Sequence, residues 1–245
     1  MIYGPAVGPI DEDDLPDHYP WPERDGAAWV RAMMVTTLDG AAAGSDGLSG
    51  SVSGSADRGV FSAVRRFADA VLVGGGTLKA EEYGPTSSTD ADRDRRLAAG
   101  QREAPTLAVV SGSLDLPLGD DGFTASATPP IVFTHADPDP DRLAALRERC
   151  EVVQSDSDTV EASWVVDRLV ERGLWRIVCE GGPSLLRDVA EAGLLTEADI
   201  TLSPMLVGTD TTPTTDMLGD PASFRLAHVL TADDFLMNRY VRADA

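Results

Sequence analysis

The feature that most constrains the fold is a short apolar strand that leads through two glycines into a helix. Within residues 175–186, positions 177–179 are typical of a buried strand, Gly181-Gly182 of a turn, and Pro183-Ser184 of a first helical turn. Proline fits there because the N–H that it lacks would have no partner in a helix. Such a turn can present N–H groups to an anion at the positive end of the helix dipole. It equally fits a plain connection.

Two more strands end in small residues, and the whole pattern predicts an α/β fold. The segment 70–73 leads into Gly74-Gly75-Gly76-Thr77, and 107–110 leads into Ser111-Gly112-Ser113. Further strands are predicted at 29–36, 131–134, 151–153 and 199–202, and helices at 55–67, 77–83, 142–149, 160–172 and 183–192. This alternation predicts a mostly parallel sheet flanked by helices, and a C-terminal antiparallel hairpin follows at 224–230 and 235–242.

The chain is expected to form one domain at 28–245, preceded by an N-terminal arm at 1–27. The arm is acidic and contains several prolines, so it either wraps the domain or is loosely held. The segment 41–54 is small and flexible, and a loop of that length tends to be functional.

Three local features are also predicted. The helix at 55–67 is expected to be capped by Ser55 or Asp57. The polar segment 86–103 is expected to be an exposed loop, and a Thr-rich loop is expected at 209–215.

Composition excludes several classes of partner. The 20 basic and 41 acidic residues give a net charge of −21, which repels nucleic acid and anionic lipid. A phosphorylated ligand would therefore need local N–H groups and a few placed cations. No apolar run is long enough to span a membrane, and the N-terminus lacks the features of a signal peptide, so a cytoplasmic location is expected. The two cysteines and three histidines show no metal-ligand spacing, so no metal site is expected.

Three glycine- or serine-rich strand ends in one α/β pattern make a nucleotide or dinucleotide a reasonable ligand. The turn at 74–79 lacks the Gly-Lys-Ser/Thr of a Walker A loop. The turn at 181–183 does not fit the Gly-x-Gly-x-x-Gly fingerprint of an ordinary Rossmann domain.

Three motifs stand in the order and spacing found in the pyrimidine reductases of riboflavin biosynthesis. They are 36–41 (TTLDGA), 73–81 (VGGGTLKAE) and 179–185 (CEGGPSL). Over residues 28–242 the chain resembles this family in its stand-alone form, which corresponds to the C-terminal domain of the bifunctional deaminase–reductase. The zinc-deaminase signature of the other half is absent from the sequence.

The resemblance implies a dihydrofolate-reductase-like fold, NADPH as the hydride donor and a homodimer. The reaction that it implies reduces the ribosyl group of a (di)aminopyrimidinone ribosylamine 5′-phosphate to ribityl. The expected partner is thus a small heterocyclic substrate.

The same resemblance implies roles for individual residues. Ser49, Arg65 and Glu180 are expected to contact the substrate, with Arg65 on its phosphate. Cofactor contacts are expected at Thr37, Asp39, Ser51, Gly75, Gly76, Thr77, Glu81, Ser111, Gly181, Gly182, Pro183, Ser184 and Leu185. Asp39 and Glu180 are the candidate catalytic residues, because either carboxyl group could assist proton transfer. A second substrate arginine that the family carries after the Glu81 helix has no clear equivalent.

Two other functions remain open from the sequence. Glu180 could accept hydrogen bonds from the ring of dihydrofolate or another pterin, so a reductase of such a substrate on the same fold is possible. A dinucleotide-binding module without catalysis is the other alternative. Turnover of the pyrimidine ribotide, of dihydrofolate, or of neither would separate the three.

Overall fold

The computed structural model describes residues 1–5, 7–23, 26–81, 83–208 and 221–243. The Thr-rich loop predicted at 209–215 lies outside the described residues. Within them the strands are β1 (Trp29–Thr36), β2 (Ala70–Gly74), β3 (Thr106–Val110), β4 (Ile131–Thr134), β5 (Glu151–Gln154), β6 (Arg176–Cys179), β7 (Leu195–Leu202), β8 (Phe224–Ala232) and β9 (Phe235–Arg242).

Helices connect most of these strands. Within the described ranges they are α1 (Leu15–His18), α2 (Ser55–Arg65), α3 (Gly75–Ala80), α4 (Asp90–Ala98), α5 (Asp121–Thr124), α6 (Pro140–Arg147), α7 (Ala162–Glu171) and α8 (Pro183–Glu191). Short 3-10 turns lie at Glu12–Asp14 and Ser49–Ser51. No helix in this part of the chain has the length and apolarity needed to cross a membrane.

The strands form one sheet in the order β5-β4-β3-β2-β6-β1-β7-β9-β8. Neighbours from β5 to β7 run parallel, whereas β9 pairs antiparallel with both β7 and β8. The central strands β2, β3, β4 and β6 are apolar along most of their length because helices cover both sheet faces. The predicted fold class, a mostly parallel sheet with helices and a C-terminal antiparallel hairpin, is confirmed.

The prediction of an exposed loop at 86–103 is wrong, because α4 forms within it. The Thr89 hydroxyl caps this helix by accepting a hydrogen bond from the Asp92 N–H at 3.2 Å. Arg96 is fully buried and donates to the carbonyls of Ala68 (2.8 Å) and Arg102 (2.9 Å). A helix whose buried contact is an arginine shows no apolar periodicity, so the usual sequence signal is missing.

The expected cap of α2 is also wrong. The N-cap residue is Gly54, and no side chain caps the helix. The Ser55 hydroxyl donates instead to Asp233 at 2.9 Å, and the Asp57 carboxylate accepts from the Ser53 hydroxyl at 2.6 Å. The helix ends at Arg65, two residues before the predicted end.

The described part of the N-terminal arm packs against the antiparallel end of the sheet. Tyr3 forms an antiparallel bridge with Val229 on β8, and Tyr19 is buried. The Arg31 guanidinium of β1 donates to the carbonyls of Tyr19 and Pro20 and lies 3.8 Å from the centre of the Trp21 ring. The arm therefore supplies backbone acceptors to a buried cation.

Arg31 belongs to a buried ionic cluster that joins β1, β7 and β9. Its Nε lies 3.0 Å from an oxygen of Glu197, whose side chain is 0% exposed. Glu197 also accepts from Arg239 Nε at 2.7 Å and from Trp29 Nε1 at 2.8 Å. Asp199 lies beside this cluster, and burial followed by repulsion from Glu197 raises its pKa. Glu197 thus forms ion pairs with two buried or half-buried arginines and accepts a hydrogen bond from the Trp29 indole.

Replacing Glu197 by alanine is expected to lower the free energy of unfolding by about 3–5 kcal/mol, because the buried Arg31 would lose its carboxylate partner. Urea unfolding measures the change. The matched control is Glu151→Ala, since the ion pair of Glu151 with Arg172 is partly exposed and should contribute at most about 1 kcal/mol. Equal losses in the two variants would contradict the importance of burial.

Candidate active site

A cleft of about 500 Å³ opens at the carboxyl ends of β1, β2 and β6. Ligands of open α/β sheets usually bind at this edge. The cleft is lined by the ends of these strands, the loop before α2, one face of α2, and α3. Its charged side chains are Asp57, Arg58, Arg65, Glu81 and Glu180.

Glu180 follows β6 and lines the cleft, where it is buried at 7% exposure. Its two carboxylate oxygens accept from Nε and Nη2 of Arg65, in a bidentate arrangement. The Tyr83 hydroxyl donates to the same carboxylate at 2.9 Å. Three of about four lone-pair sites on the carboxylate are therefore occupied. One remains for a ligand N–H group.

Aromatic rings hold the Arg65 guanidinium in place. Its central carbon lies 4.3 Å from the centre of the Phe61 ring and 5.4 Å from that of Tyr83. Burial, together with the negative charge of Glu180, raises the pKa of Tyr83 well above its usual value. Tyr83 consequently stays protonated and acts as a hydrogen-bond donor.

The two glycine turns predicted from the sequence are bonded to each other. The Gly74 N–H donates to the Gly181 carbonyl, and the Gly182 N–H donates to Thr77 Oγ1, each at 2.8 Å. Gly181 has a φ of +86°, which favours glycine. A methyl group at Gly182 would lie 2.7 Å from Thr77 Oγ1. Gly181 is therefore required by its backbone conformation, and Gly182 by the close approach of the two turns.

The first turn of α8 offers N–H groups at the edge of the cleft. Pro183 is its first residue, and no side chain caps its N-terminus. The N–H groups of a first helical turn have no acceptor within the helix. Across the turn, a methyl group at Gly76 would meet no atom within 4 Å. This edge combines free donors with open space, as an anionic ligand requires.

The structure brings eight of the predicted site residues to the cleft lining: Ser49, Arg65, Gly76, Thr77, Glu81, Glu180, Gly182 and Pro183. The Ser49 N–H donates to the Glu81 carboxylate at 2.7 Å, which ties the loop before α2 to the end of α3. The predicted residues that do not line it are Thr37, Asp39, Ser51, Gly75, Ser111, Gly181, Ser184 and Leu185.

Several of the predicted residues outside the lining have structural partners. The Ser51 hydroxyl donates to Asp46 at 2.9 Å. Ser111 Oγ accepts from the Leu114 N–H at 3.1 Å, and a methyl group at Gly75 would lie 3.0 Å from it. The Leu185 side chain packs in the core, so only its backbone could face a cofactor.

Asp39 joins the loops that follow β1 and β7. Its carboxylate accepts from the Thr37 hydroxyl and, at 2.7 Å, from the Gly208 N–H. The hydrogen bond from Thr37, followed by that from Gly208, lowers the pKa of Asp39. The carboxyl group is consequently ionised at neutral pH.

Sequence reasoning missed three side chains that shape the cleft: Arg58, Phe61 and Tyr83. Arg58, Phe61 and Arg65 stand at positions i, i+3 and i+7 of α2, so they share one helix face. That spacing was a usable signal for the two that were missed on α2. No similar signal marks Tyr83, which follows the end of α3.

Lys79 lies on α3, which follows the carboxyl end of β2. The Lys79 ammonium forms an ion pair with the Asp115 carboxylate. No group of three metal-ligating side chains in the described ranges is placed to hold a metal ion.

Gly182→Ala is expected to lower the free energy of unfolding by about 1–3 kcal/mol, because its methyl group would displace Thr77. Thermal or urea unfolding without ligand measures the change. Gly119→Ala is the matched control, since its methyl group would meet no atom within 4 Å; its effect should stay within about 0.5 kcal/mol. A Gly182 variant as stable as the control would argue against the packed turns.

Comparison with known proteins identifies the family. The family described as RibD C-terminal domain matches residues 28–236. A 2,5-diamino-6-ribosylamino-4(3H)-pyrimidinone 5′-phosphate reductase of Methanothermobacter thermautotrophicus is 30% identical over 185 residues, which cover 74% of this chain and 79% of that protein. The riboflavin biosynthesis protein RibD of Bacillus amyloliquefaciens is 28% identical over 188 residues, 76% of this chain and 48% of that one.

The fold comparison agrees with the sequence comparison. A pyrimidine reductase-like protein from Corynebacterium diphtheriae superposes with a TM-score of 0.78 at 24% identity, and the match covers 88% of this chain and 92% of that one. At this identity the likeness establishes the fold, and the family match rests on the sequence. The chain belongs to the RibD C-terminal domain family.

Proposed function

We propose that the protein is an NADPH-dependent reductase of riboflavin biosynthesis. It reduces the ribosyl group of a (di)aminopyrimidinone ribosylamine 5′-phosphate to ribityl. Membership of the RibD C-terminal domain family supports this reaction, as does the name of the archaeal relative. The observation that carries the proposal is Glu180, a carboxylate held in the cleft beside a glycine turn and a free helix N-terminus.

Glu180 recognises the heterocycle in this proposal. Aminopyrimidinones present amine and amide N–H groups, and a carboxylate with one open lone pair accepts such a donor. Arg65 and Tyr83 fix the carboxylate, so the ring is oriented by a rigid acceptor. Met33, Met34 and Phe61 supply apolar surface in the same cleft, which excludes water from the ring.

The glycine turn at 181–182 and the first turn of α8 fit a dinucleotide. The N–H groups of Ser184 and Leu185 in the first turn of α8 would hold its pyrophosphate, and Gly76 leaves space for it. When bound, NADPH supplies a hydride. The protein's part is to orient the two reactants and exclude water between them. Ser111, near the end of β3, stays a proposed contact of the adenosine half.

The proposed roles of the two candidate catalytic acids differ. Glu180 binds substrate and can take part in proton transfer at the ring. Asp39 is ionised because of its hydrogen bonds, so a proton step at Asp39 would accept rather than donate a proton. Thr37, which donates to Asp39, keeps this carboxylate in place beside the loop at Gly208.

The test of the function is loss of absorbance at 340 nm from NADPH, with the pyrimidine ribotide phosphate and dihydrofolate assayed in parallel. We expect turnover of the ribotide alone. Turnover of dihydrofolate alone would move the function to the pterin alternative. Binding of NADPH without turnover of either substrate would favour the non-catalytic module.

Glu180→Gln is expected to lower kcat/KM for the ribotide by about 10- to 100-fold. Glutamine has no negative charge and only one acceptor oxygen, so it cannot both pair with Arg65 and accept a hydrogen bond from the ring N–H. Glu191→Gln, on the exposed side of α8, is the control and should leave kcat/KM within about twofold. Wild-type activity in the Glu180 variant would remove this carboxylate from the site.

We further propose a homodimer that uses the sheet face left uncovered at β7 and β9. Ile200, Leu202, Leu236 and Tyr240 share this face by strand register and are half-buried. They belong to none of the hydrophobic clusters formed by the described residues. Sedimentation of the protein at micromolar concentration should give twice the mass of 25.9 kDa; a single monomeric species would contradict the proposal.

The cytoplasmic location expected from the sequence stays a prediction.

A further inference from the structure

We propose that Asp57 makes the cleft specific for a pyrimidinone ring with an amino group at position 2, by accepting hydrogen bonds from that edge of the ring. The inference rests on the proposed function and deepens it, because it chooses between two rings of the proposed substrate class. One is a 2,5-diaminopyrimidinone and the other is a 5-aminouracil. At ring position 2 the first carries an amino group and the second a carbonyl group.

Asp57 is a buried acid at the wall of the cleft. It is 4% exposed and belongs to the cleft lining. Within the described ranges it forms no ion pair. The Ser53 hydroxyl donates to Oδ2 at 2.6 Å, whereas Oδ1 is buried and accepts no hydrogen bond from the described part of the chain. A buried acceptor without a donor is unfavourable, so a ligand N–H group that reaches Oδ1 gains binding energy there.

The Ser53 contact leaves most of the hydrogen-bonding capacity of this carboxylate unused. A carboxylate has two oxygens with about four lone-pair sites, and Ser53 takes one of them. The remaining sites lie on both oxygens, so the group can accept two parallel N–H bonds. Glu180 has one site left, because Arg65 and Tyr83 take three. Asp57 can therefore accept a pair of neighbouring donors, which Glu180 cannot.

A pair of neighbouring donors distinguishes the two rings. In the 2-aminopyrimidinone, the amino group at position 2 and the adjacent N3–H can form two parallel hydrogen bonds with a carboxylate. In the uracil, carbonyl oxygens stand on both sides of N3–H. A carboxylate that faces this edge would bring one of its oxygens against a carbonyl oxygen, and both acceptors would lack a donor. Asp57 consequently favours the ring with the 2-amino group.

The placement of the two acids along α2 suits one ring between them. Asp57, Phe61 and Arg65 stand at positions i, i+4 and i+8 of α2 and line the cleft. Helical side chains lean toward the N-terminus, and the Arg65 guanidinium, which holds Glu180, lies 4.3 Å from the centre of the Phe61 ring. Phe61 is about 6 Å along the helix from Asp57.

The ring of the diaminopyrimidinone has donors at both ends. Positions 2 and 5 are opposite corners of a six-membered ring, and each carries an amino group. With the 5-amino group at Glu180, the 2-amino group points toward Asp57 along α2. The uracil ring in the same position would present its 2-carbonyl group to Asp57. The phosphate contact that the family resemblance implies for Arg65 is unaffected.

The first test compares NADPH-dependent turnover of the ribotide phosphates of the two rings. In the wild-type protein, kcat/KM should be at least about tenfold higher for the diaminopyrimidinone, the low end for a hydrogen bond to a charged group. Asp57→Asn should lower this value at least about tenfold and should not lower that for the uracil. Asparagine keeps one oxygen for the Ser53 hydroxyl, but it has no negative charge and carries N–H donors in place of the second acceptor.

A matched variant controls for the change in charge. Asp141 is exposed, lies in the first turn of α6 and is outside the cleft. Asp141→Asn should leave kcat/KM for both substrates within about twofold. An equal loss on both substrates in Asp57→Asn would assign a structural role to Asp57 and overturn the proposal. A wild-type preference for the uracil substrate would overturn it as well.

A binding measurement separates this proposal from the proposed function. The probes are 2,5,6-triaminopyrimidin-4-one and 5,6-diaminouracil, which lack sugar and phosphate and differ in the substituent at position 2. Each is titrated by calorimetry into the wild-type protein and into Asp57→Asn, without NADPH. A wild-type preference of at least about tenfold for the triamino ring that is lost in the variant supports the role of Asp57 even if neither ribotide is reduced. The same preference in both proteins, or no preference or no binding in the wild type, would refute that role.

Discussion

The position of β6 between β1 and β2 is the constraint on which the site depends. It pairs in parallel with both neighbours, so the carboxyl ends of all three strands meet at one edge of the sheet. Residues far apart in sequence, such as Thr77 and Gly182, thereby come within hydrogen-bond distance. The same pairing brings Arg65, at the end of the helix before β2, to the carboxylate that follows β6.

Electrostatics then decides what each cleft side chain is able to do. A buried carboxylate needs a cation and further donors, and Glu180 obtains them from Arg65 and Tyr83. That arrangement uses an arginine that the family resemblance assigns to substrate. In a chain with about two acids for each base, cations are scarce. A cation whose charge is offset by a carboxylate attracts an anionic ligand less strongly than an unpaired one.

Sequence reasoning found the sheet and the family but not the internal partners of the site. The buried strands were recognisable because they are continuously apolar, and the family assignment from three motifs is confirmed. Helix α4 was missed because Arg96 takes the place of an apolar anchor. The Glu180–Arg65 pair was out of reach because both residues were expected to face ligand, and their contact follows only from the strand order. The roles expected for individual site residues stay predictions.

The N-terminal arm satisfies Arg31 through backbone carbonyls rather than side chains. A carbonyl is supplied by any residue, so the identity of an exposed position such as residue 20 matters less than the presence of the chain there. A substitution at an exposed position such as residue 20 keeps the carbonyl in place and should be tolerated, whereas shortening the arm would remove two hydrogen-bond acceptors from a buried guanidinium. The arm is therefore constrained in path by the carbonyls of residues 19 and 20, and in side-chain identity at the buried Tyr19 and at Trp21, whose ring covers the guanidinium. A chain without these residues would lose part of the surroundings that hold a cation inside the protein.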